Sequence, residues 1–154
     1  MQAEAVTSTV EQVELEIEIA ATPERVWKSL VEETTFWWPK DFYTSAKTKA
    51  FWIEPRLGGL MYEDWGNGEG LVWFRVFGME TAVSLHLEGC MAPPYGPAHT
   101  LLKLELVKSG RGTVLMVSDS TIGAPGHCDG SKADGWRQVF EDGLKKHVEA
   151  TVRA

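Results

Sequence analysis

Val13, Leu15, Ile17 and Ile19 alternate with Glu14, Glu16 and Glu18, the period of a strand with one face in a core and the other in water. The period changes directly afterwards. Thr22 can cap a helix, Pro23 suits its first turn and Glu24 complements the positive end of the helix dipole. Val26, Trp27, Leu30 and Val31 then recur at helical spacing, which predicts a helix to about Glu32. A second short helix is predicted over Thr34 to Trp38, because Pro39 discourages continuation.

From there to about residue 121 the pattern is that of antiparallel strands. The Gly66-Asn67-Gly68-Glu69-Gly70 stretch reads as a hairpin turn between Leu60 to Trp65 and Leu71 to Phe77. Val83, Leu85 and Leu87 alternate with Ser84, His86 and Glu88, and Leu102, Leu104 and Leu106 alternate with Lys103 and Glu105. Between these two strands, the prolines of Met91 to Pro97 cannot supply ladder donors and predict an exposed loop. After Gly110-Arg111-Gly112 a last strand spans about Thr113 to Thr121.

The remainder predicts one long helix capped by Asp129 or Ser131. Trp136, Val139, Phe140, Leu144, His147 and Val148 form its apolar stripe, and Lys132, Arg137, Glu141, Lys145 and Glu149 its other face. Gly135 and Gly143 sit inside it at a cost of about 1 kcal/mol each relative to alanine. They imply either a close approach of the helix backbone to the sheet or space left beside the helix.

Composition narrows the function. With 154 residues and 44% hydrophobic content the chain supports one domain, assigned to residues 12–151 after a short flexible segment, residues 1–11. A net charge of -7 argues against nucleic acid, whose affinity rests on cations neutralising phosphates. Met1 to Gln12 is small, polar and acidic, without the pattern of a secretory leader, and no apolar stretch is long enough to insert in a membrane. A cytoplasmic address is therefore expected. Cys90 and Cys128 lack the number of a disulfide framework and the spacing of a zinc site, so they read as free thiols, and no metal or cofactor is expected.

The order of elements and five segments carry a resemblance: Ile19 to Trp27, Trp37-Trp38-Pro39, Glu54-Pro55-Arg56-Leu57-Gly58-Gly59, Gly112-Thr113 and Gly135-Trp136. Together they resemble the START-like, helix-grip (SRPBCC) superfamily, in the branch of homologues of the activator of heat-shock-protein-ninety ATPase. The likeness covers about Val13 to Val148. It implies an α+β fold in which a curved antiparallel sheet wraps around a long C-terminal helix, with two short helices after the first strand. It also implies an apolar cavity between sheet and helix. Relatives include lipid carriers, polyketide cyclases and aromatases, so the fold by itself leaves function open. Where many relatives have a proline pair, this chain has Phe77-Gly78-Met79-Glu80-Thr81, and the extra domain of the eukaryotic cochaperones is not expected.

No catalytic set is recognisable. His127-Cys128-Asp129 is the nearest approach to a reactive cluster, and adjacent side chains diverge, so it reads as a polar loop ahead of the helix. Glu63, Arg75 and Asp119 each fall on an otherwise apolar strand parity and are candidates for an interior ion pair or for orienting a ligand. Trp37, Trp38, Phe42, Phe51, Trp52, Trp65, Trp73, Trp136 and Phe140 offer more rigid apolar surface than a core of this size ordinarily uses. With the three charged residues they make the candidate cavity lining. The leading expectation is a binder of a small hydrophobic, flat and aromatic molecule without catalysis. One alternative is a polyketide cyclase or aromatase-like enzyme in which Arg75, Glu63 or Asp119 gives acid/base or oxyanion help. Another, implied by the branch resemblance, is a cochaperone-like module meeting a chaperone ATPase. A homodimer through an exposed sheet edge or the Pro93-Pro94 loop is compatible with the sequence, which specifies no oligomeric state.

Overall fold

The alternation at the start of the chain becomes β1 (Thr9–Ile19), with Val13, Leu15, Ile17 and Ile19 buried and the intervening glutamates exposed. This computed structural model describes residues 2–5, 7–90, 97–124 and 130–153. α1 (Pro23–Glu32) starts where predicted: the Thr22 hydroxyl accepts the Arg25 N–H at 3.2 Å, and Val26, Trp27, Leu30 and Val31 face the core. Each such aliphatic side chain contributes about 1.5–3 kcal/mol on burial. α2 (Thr34–Trp37) follows, then a 3-10 turn, Lys40–Phe42, which the sequence pattern did not announce.

The strands β2 (Ala50–Ile53), β3 (Leu60–Gly66), β4 (Glu69–Glu80), β5 (Ser84–Gly89), β6 (Ala98–Ser109) and β7 (Gly112–Gly123) complete a seven-stranded sheet. Its order is β1-β7-β6-β5-β4-β3-β2, and every pairing is antiparallel. The β3–β4 turn is tighter than predicted. Asn67 and Gly68 both take positive φ, 57° and 77°, the geometry of a two-residue hairpin turn that matches strand twist. At the short edge strand β2, the Thr35 hydroxyl accepts the Phe51 N–H and donates to the Phe51 carbonyl, so α2 closes that edge.

Two register shifts in β4 decide which of its residues face inward. Met61 pairs with Phe74 and Tyr62 with Val72, leaving Trp73 as the extra residue; Val76 pairs with Leu87 and Gly78 with His86, leaving Phe77 as another. Trp73, Phe74 and Val76 are consequently all buried, and Arg75 is turned to solvent.

The terminal helix runs as α3 (Lys132–Arg137), a π-type stretch (Gln138–Lys145) and α4 (Lys146–Arg153). Lys132, Trp136, Phe140, Leu144 and Val148 are all buried. In a uniform α-helix a row of residues four apart drifts about 40° per step and would leave the core. The wider π turn drifts the other way and keeps the row facing the sheet. Ser131 makes no capping bond through its side chain to the helix, and the alternative cap, Asp129, lies outside the described residues, as do His127, Cys128 and the loop residues 91–96. The two helix glycines differ. A Cβ on Gly143 would stand 2.6 Å from the Trp37 carbonyl oxygen, so the close approach is to α2 rather than to the sheet, and Gly135 faces open space.

Candidate functional site

Between sheet and terminal helix the aromatic side chains form a continuous row. Trp136 stacks on Phe140 with centroids 5.6 Å apart. Phe140 lies 6.2 Å from Trp37, which lies 5.9 Å from Trp38. Trp38 stacks on Phe51 at 4.0 Å with planes 8° apart, and Trp73 meets both edge-on, at 5.6 Å and 6.0 Å. Offset and edge-on contacts of this kind add about 0.5–1.5 kcal/mol each beyond burial. These rings occupy the aromatic end of the space where the family resemblance implies a cavity. Two open clefts lie elsewhere. One, about 350 Å³, is bounded by Glu18, Ile19, Gly112, Thr113, Lys145 and Glu149; the other, about 460 Å³, lies over Glu14, Glu16, Lys103, Glu105, Met116 and Ser118. Neither is lined by an aromatic residue.

A buried carboxylate stands at each end of the row. Glu63, on β3, is fully buried; it accepts the Trp73 indole N–H at 2.8 Å, the Thr44 backbone N–H at 3.0 Å and the Thr48 hydroxyl at 2.5 Å. Burial alone would push its carboxyl up, but these donors together outweigh that and hold it below the ordinary carboxylate range. Desolvation, with the Glu63 charge added to it, pushes the neighbouring Tyr43 phenol up. Among the described residues no cation pairs with Glu63: the segment 43–49 is fastened over the sheet by neutral donors.

Asp119, on β7 at the other end, is also fully buried. Its Oδ2 accepts the Trp136 indole N–H at 2.7 Å, and its Oδ1 accepts the Thr121 hydroxyl at 2.7 Å and faces the Lys132 ammonium at 3.5 Å. Lys132 also donates to Thr121 Oγ1, which lies 2.9 Å from Thr100 Oγ1. Because the single Thr121 hydrogen goes to Asp119, Thr100 must be the donor in that last contact. The pair therefore has a counter-ion and a closed set of hydroxyl bonds, the conditions under which a buried charge is tolerated.

One donor in the row is unmatched. Trp38 is 3% exposed and its indole Nε1 is buried without an acceptor among the described residues, as is Nε1 of half-buried Trp65. By contrast, Trp37 Nε1 donates to the Ser29 carbonyl at 2.7 Å. An indole N–H taken from water without a partner costs about 1–3 kcal/mol.

The structure thus brings Trp37, Trp38, Phe51, Glu63, Trp73, Asp119, Trp136 and Phe140 into one interior, with half-buried Phe42 packed against it. Three expected members are elsewhere. Trp65 is half-buried and outside this cluster, at the end of β3 where the pairing shifts between Asp64 and Gly66. Arg75 is exposed because the extra residue at Trp73 inverts strand parity after it. Trp52 is 40% exposed and donates to Asp64 across the outer face, since β2 buries Ala50, Phe51 and Ile53. Lys132, expected on the wet face of the helix, is buried instead. Its spacing of four from Trp136, repeated at Phe140, Leu144 and Val148, is the signal that could have found it.

No family model and no curated protein matches the chain. Solved structures do. A protein of Rhizobium leguminosarum superposes with a TM-score of 0.70 at 14% identity, over 94% of this chain and 97% of that one. A protein of Mesorhizobium loti gives 0.65 at 21% identity, over 92% and 98%. DynU16, a protein of the dynemicin biosynthetic locus, gives 0.60 at 18% identity, over 90% of this chain and 47% of its own length. At these identities the likeness is one of fold, the helix-grip α+β arrangement.

Proposed function

We propose that this protein binds a small, flat, apolar molecule carrying a hydrogen-bond acceptor, inside the helix-grip between β3, β4, α2 and the terminal helix. The observation that carries the reading is the buried, unpartnered Trp38 N–H within a stack of rings. A ligand acceptor at that nitrogen recovers the cost of the unmatched donor, and its rings replace ring contacts already favoured there. Entry requires the rings to part. The π-type stretch that carries Phe140 and Gly143 is an element of the kind often found at functional sites, and it lies directly against Trp37. Membership of the SRPBCC superfamily, and of the heat-shock ATPase activator branch within it, belongs to this proposal, as does a carrier role in a biosynthetic pathway, in keeping with the fold shared with DynU16 of the dynemicin biosynthetic locus.

A second reading, cyclase-like catalysis, is favoured by one observation: Asp119 and Lys132 place a base and an acid beside the stacked rings of Trp136 and Phe140. Arg75, being exposed, has no part in it.

The test is titration of the full chain with polycyclic aromatic ketones, phenols and hydrocarbons, followed by tryptophan fluorescence and thermal unfolding. Acceptor-bearing compounds should quench the indole emission and raise Tm with concentration. Trp38→Phe, which removes only the donor and one ring, should weaken them about tenfold, the equivalent of about 1.4 kcal/mol. If no compound of the panel shifts Tm, the interior is a packed core and the proposal fails.

A further inference from the structure

The Lys132–Asp119 cluster holds one unspent donor. The hydrogens of Thr100, Thr121 and Trp136 are committed to Thr121, Asp119 and Asp119 respectively. Lys132 carries three hydrogens. One goes to Thr121 and one faces Asp119, and among the described residues no acceptor meets the third. We propose that this hydrogen receives a carbonyl oxygen of the ligand, so that Lys132 fixes one end of the molecule whose rings lie along Trp136 and Phe140. The inference rests on the binding reading above and adds to it the chemical class: a flat polycyclic ketone.

Charge selects the carbonyl. The ammonium is balanced by Asp119 at 3.5 Å, so the cluster is neutral and an entering carboxylate would meet the Asp119 charge as well as the ammonium. A neutral ketone meets only the donor. The Trp136 indole donates to Asp119 while its ring stacks on Phe140, which places the donor at the margin of an aromatic surface. A hydrogen bond from an ammonium inside a water-poor interior is of the stronger, charge-assisted kind. It also draws electron density from the carbonyl carbon, which would acidify a C–H beside it.

The experiment compares 2-acetylnaphthalene with 2-isopropenylnaphthalene, in which a CH₂ group replaces the oxygen, by fluorescence titration of the full chain. The ketone should bind about tenfold or more tightly, a difference of about 1.4 kcal/mol. The combined variant Lys132→Met with Asp119→Asn removes both charges and should erase that advantage, with its fold checked by thermal unfolding. Independently of any variant, the infrared carbonyl stretch of the bound ketone should fall below its value in dry apolar solvent. A ketone advantage that survives the combined variant and disappears in Trp38→Phe overturns the inference and leaves the binding reading standing, whereas equal affinity for the two probes in the wild type overturns the inference together with the acceptor requirement of the binding reading. If neither probe binds, both are overturned.

Discussion

Glu63 and Asp119 are both fully buried, each accepts a tryptophan N–H, and the two are satisfied by different means. Glu63 is held by neutral donors from the segment 43–49 and from β4. Asp119 is held by a cation from the first turn of the terminal helix and by a chain of hydroxyls. Neutral donors can outweigh desolvation only if several converge on one carboxylate, which makes Glu63 a fastener for a loop. At Asp119 the charge of Lys132 takes the place of one such neutral donor and leaves the cation with donor capacity to spare.

The comparison can be broken first at the tryptophans. Trp136→Ala removes a buried ring and one donor to Asp119, and should cost about 3–5 kcal/mol in urea unfolding, as for other large-to-small aromatic changes. A cost below 1 kcal/mol would mean that this helix face does not carry the core. Next come the charges. Lys132→Met alone strands Asp119 without its counter-ion and should cost about 3–5 kcal/mol, most of it recovered on adding Asp119→Asn. Glu63→Gln breaks no ion pair, but its amide sets hydrogens against converging donors, so about 1–3 kcal/mol is expected with no cationic partner able to rescue it. If the two carboxylates respond alike to loss of their partners, the contrast between them is false.

Acid separates them further. The folded-state carboxyl of Glu63 titrates below its unfolded value, so its contribution is fully present above the unfolded value, about pH 4.3, and fades as pH falls through the folded one. Glu33 and Glu149 are also lowered. At Glu33, bonds from Ser29, His147 and Arg25 outweigh the desolvation that would raise it; at Glu149, the Ala20 N–H and Lys145 outweigh desolvation in the same way. Wild-type Tm should therefore drop in acid as a sum of such terms. The Tm gap between wild type and Glu63→Gln, measured from neutral pH downward, isolates the Glu63 share and should narrow below about pH 4. A gap that widens in acid would contradict the lowered pKa.

Smaller effects test the helix that joins the two ends. Gly143→Ala drives a Cβ into the Trp37 carbonyl and should cost about 1–3 kcal/mol, whereas Gly135→Ala meets nothing and should gain up to about 1 kcal/mol. Calorimetry of the two variants reads the difference directly. Smallest of all, Arg75→Ala on the outer face should change stability by less than about 0.5 kcal/mol.

Most elements were legible in the chain because their signals are local. The Val13 to Ile19 alternation, the Thr22-Pro23-Glu24 helix start, the Asn67-Gly68 turn and the apolar stripe of the terminal helix each follow from the sterics and solvation of a few neighbouring residues. The candidate interior was legible in part for the same reason: Glu63 and Asp119 stand out as charges on apolar parities, and the tryptophans stand out by number. Which face each residue takes depended on the partner strand. Arg75 lost its predicted inward place because the Met61/Tyr62 register leaves Trp73 as an extra residue, and a shift of one residue inverts every side chain beyond it. Lys132 gained a buried place because Asp119 and Thr121, on another element, supply the charge and oxygen that make burial tolerable, and because a π-type stretch keeps the row of residues four apart on one face. The sequence by itself determined the strands, helices and apolar content, since these are set by neighbours along the chain. Only the tertiary structure decided the carboxylate partners, the unmatched Trp38 donor and the spare Lys132 hydrogen, since hydrogen-bond satisfaction is a property of groups brought together across the sheet.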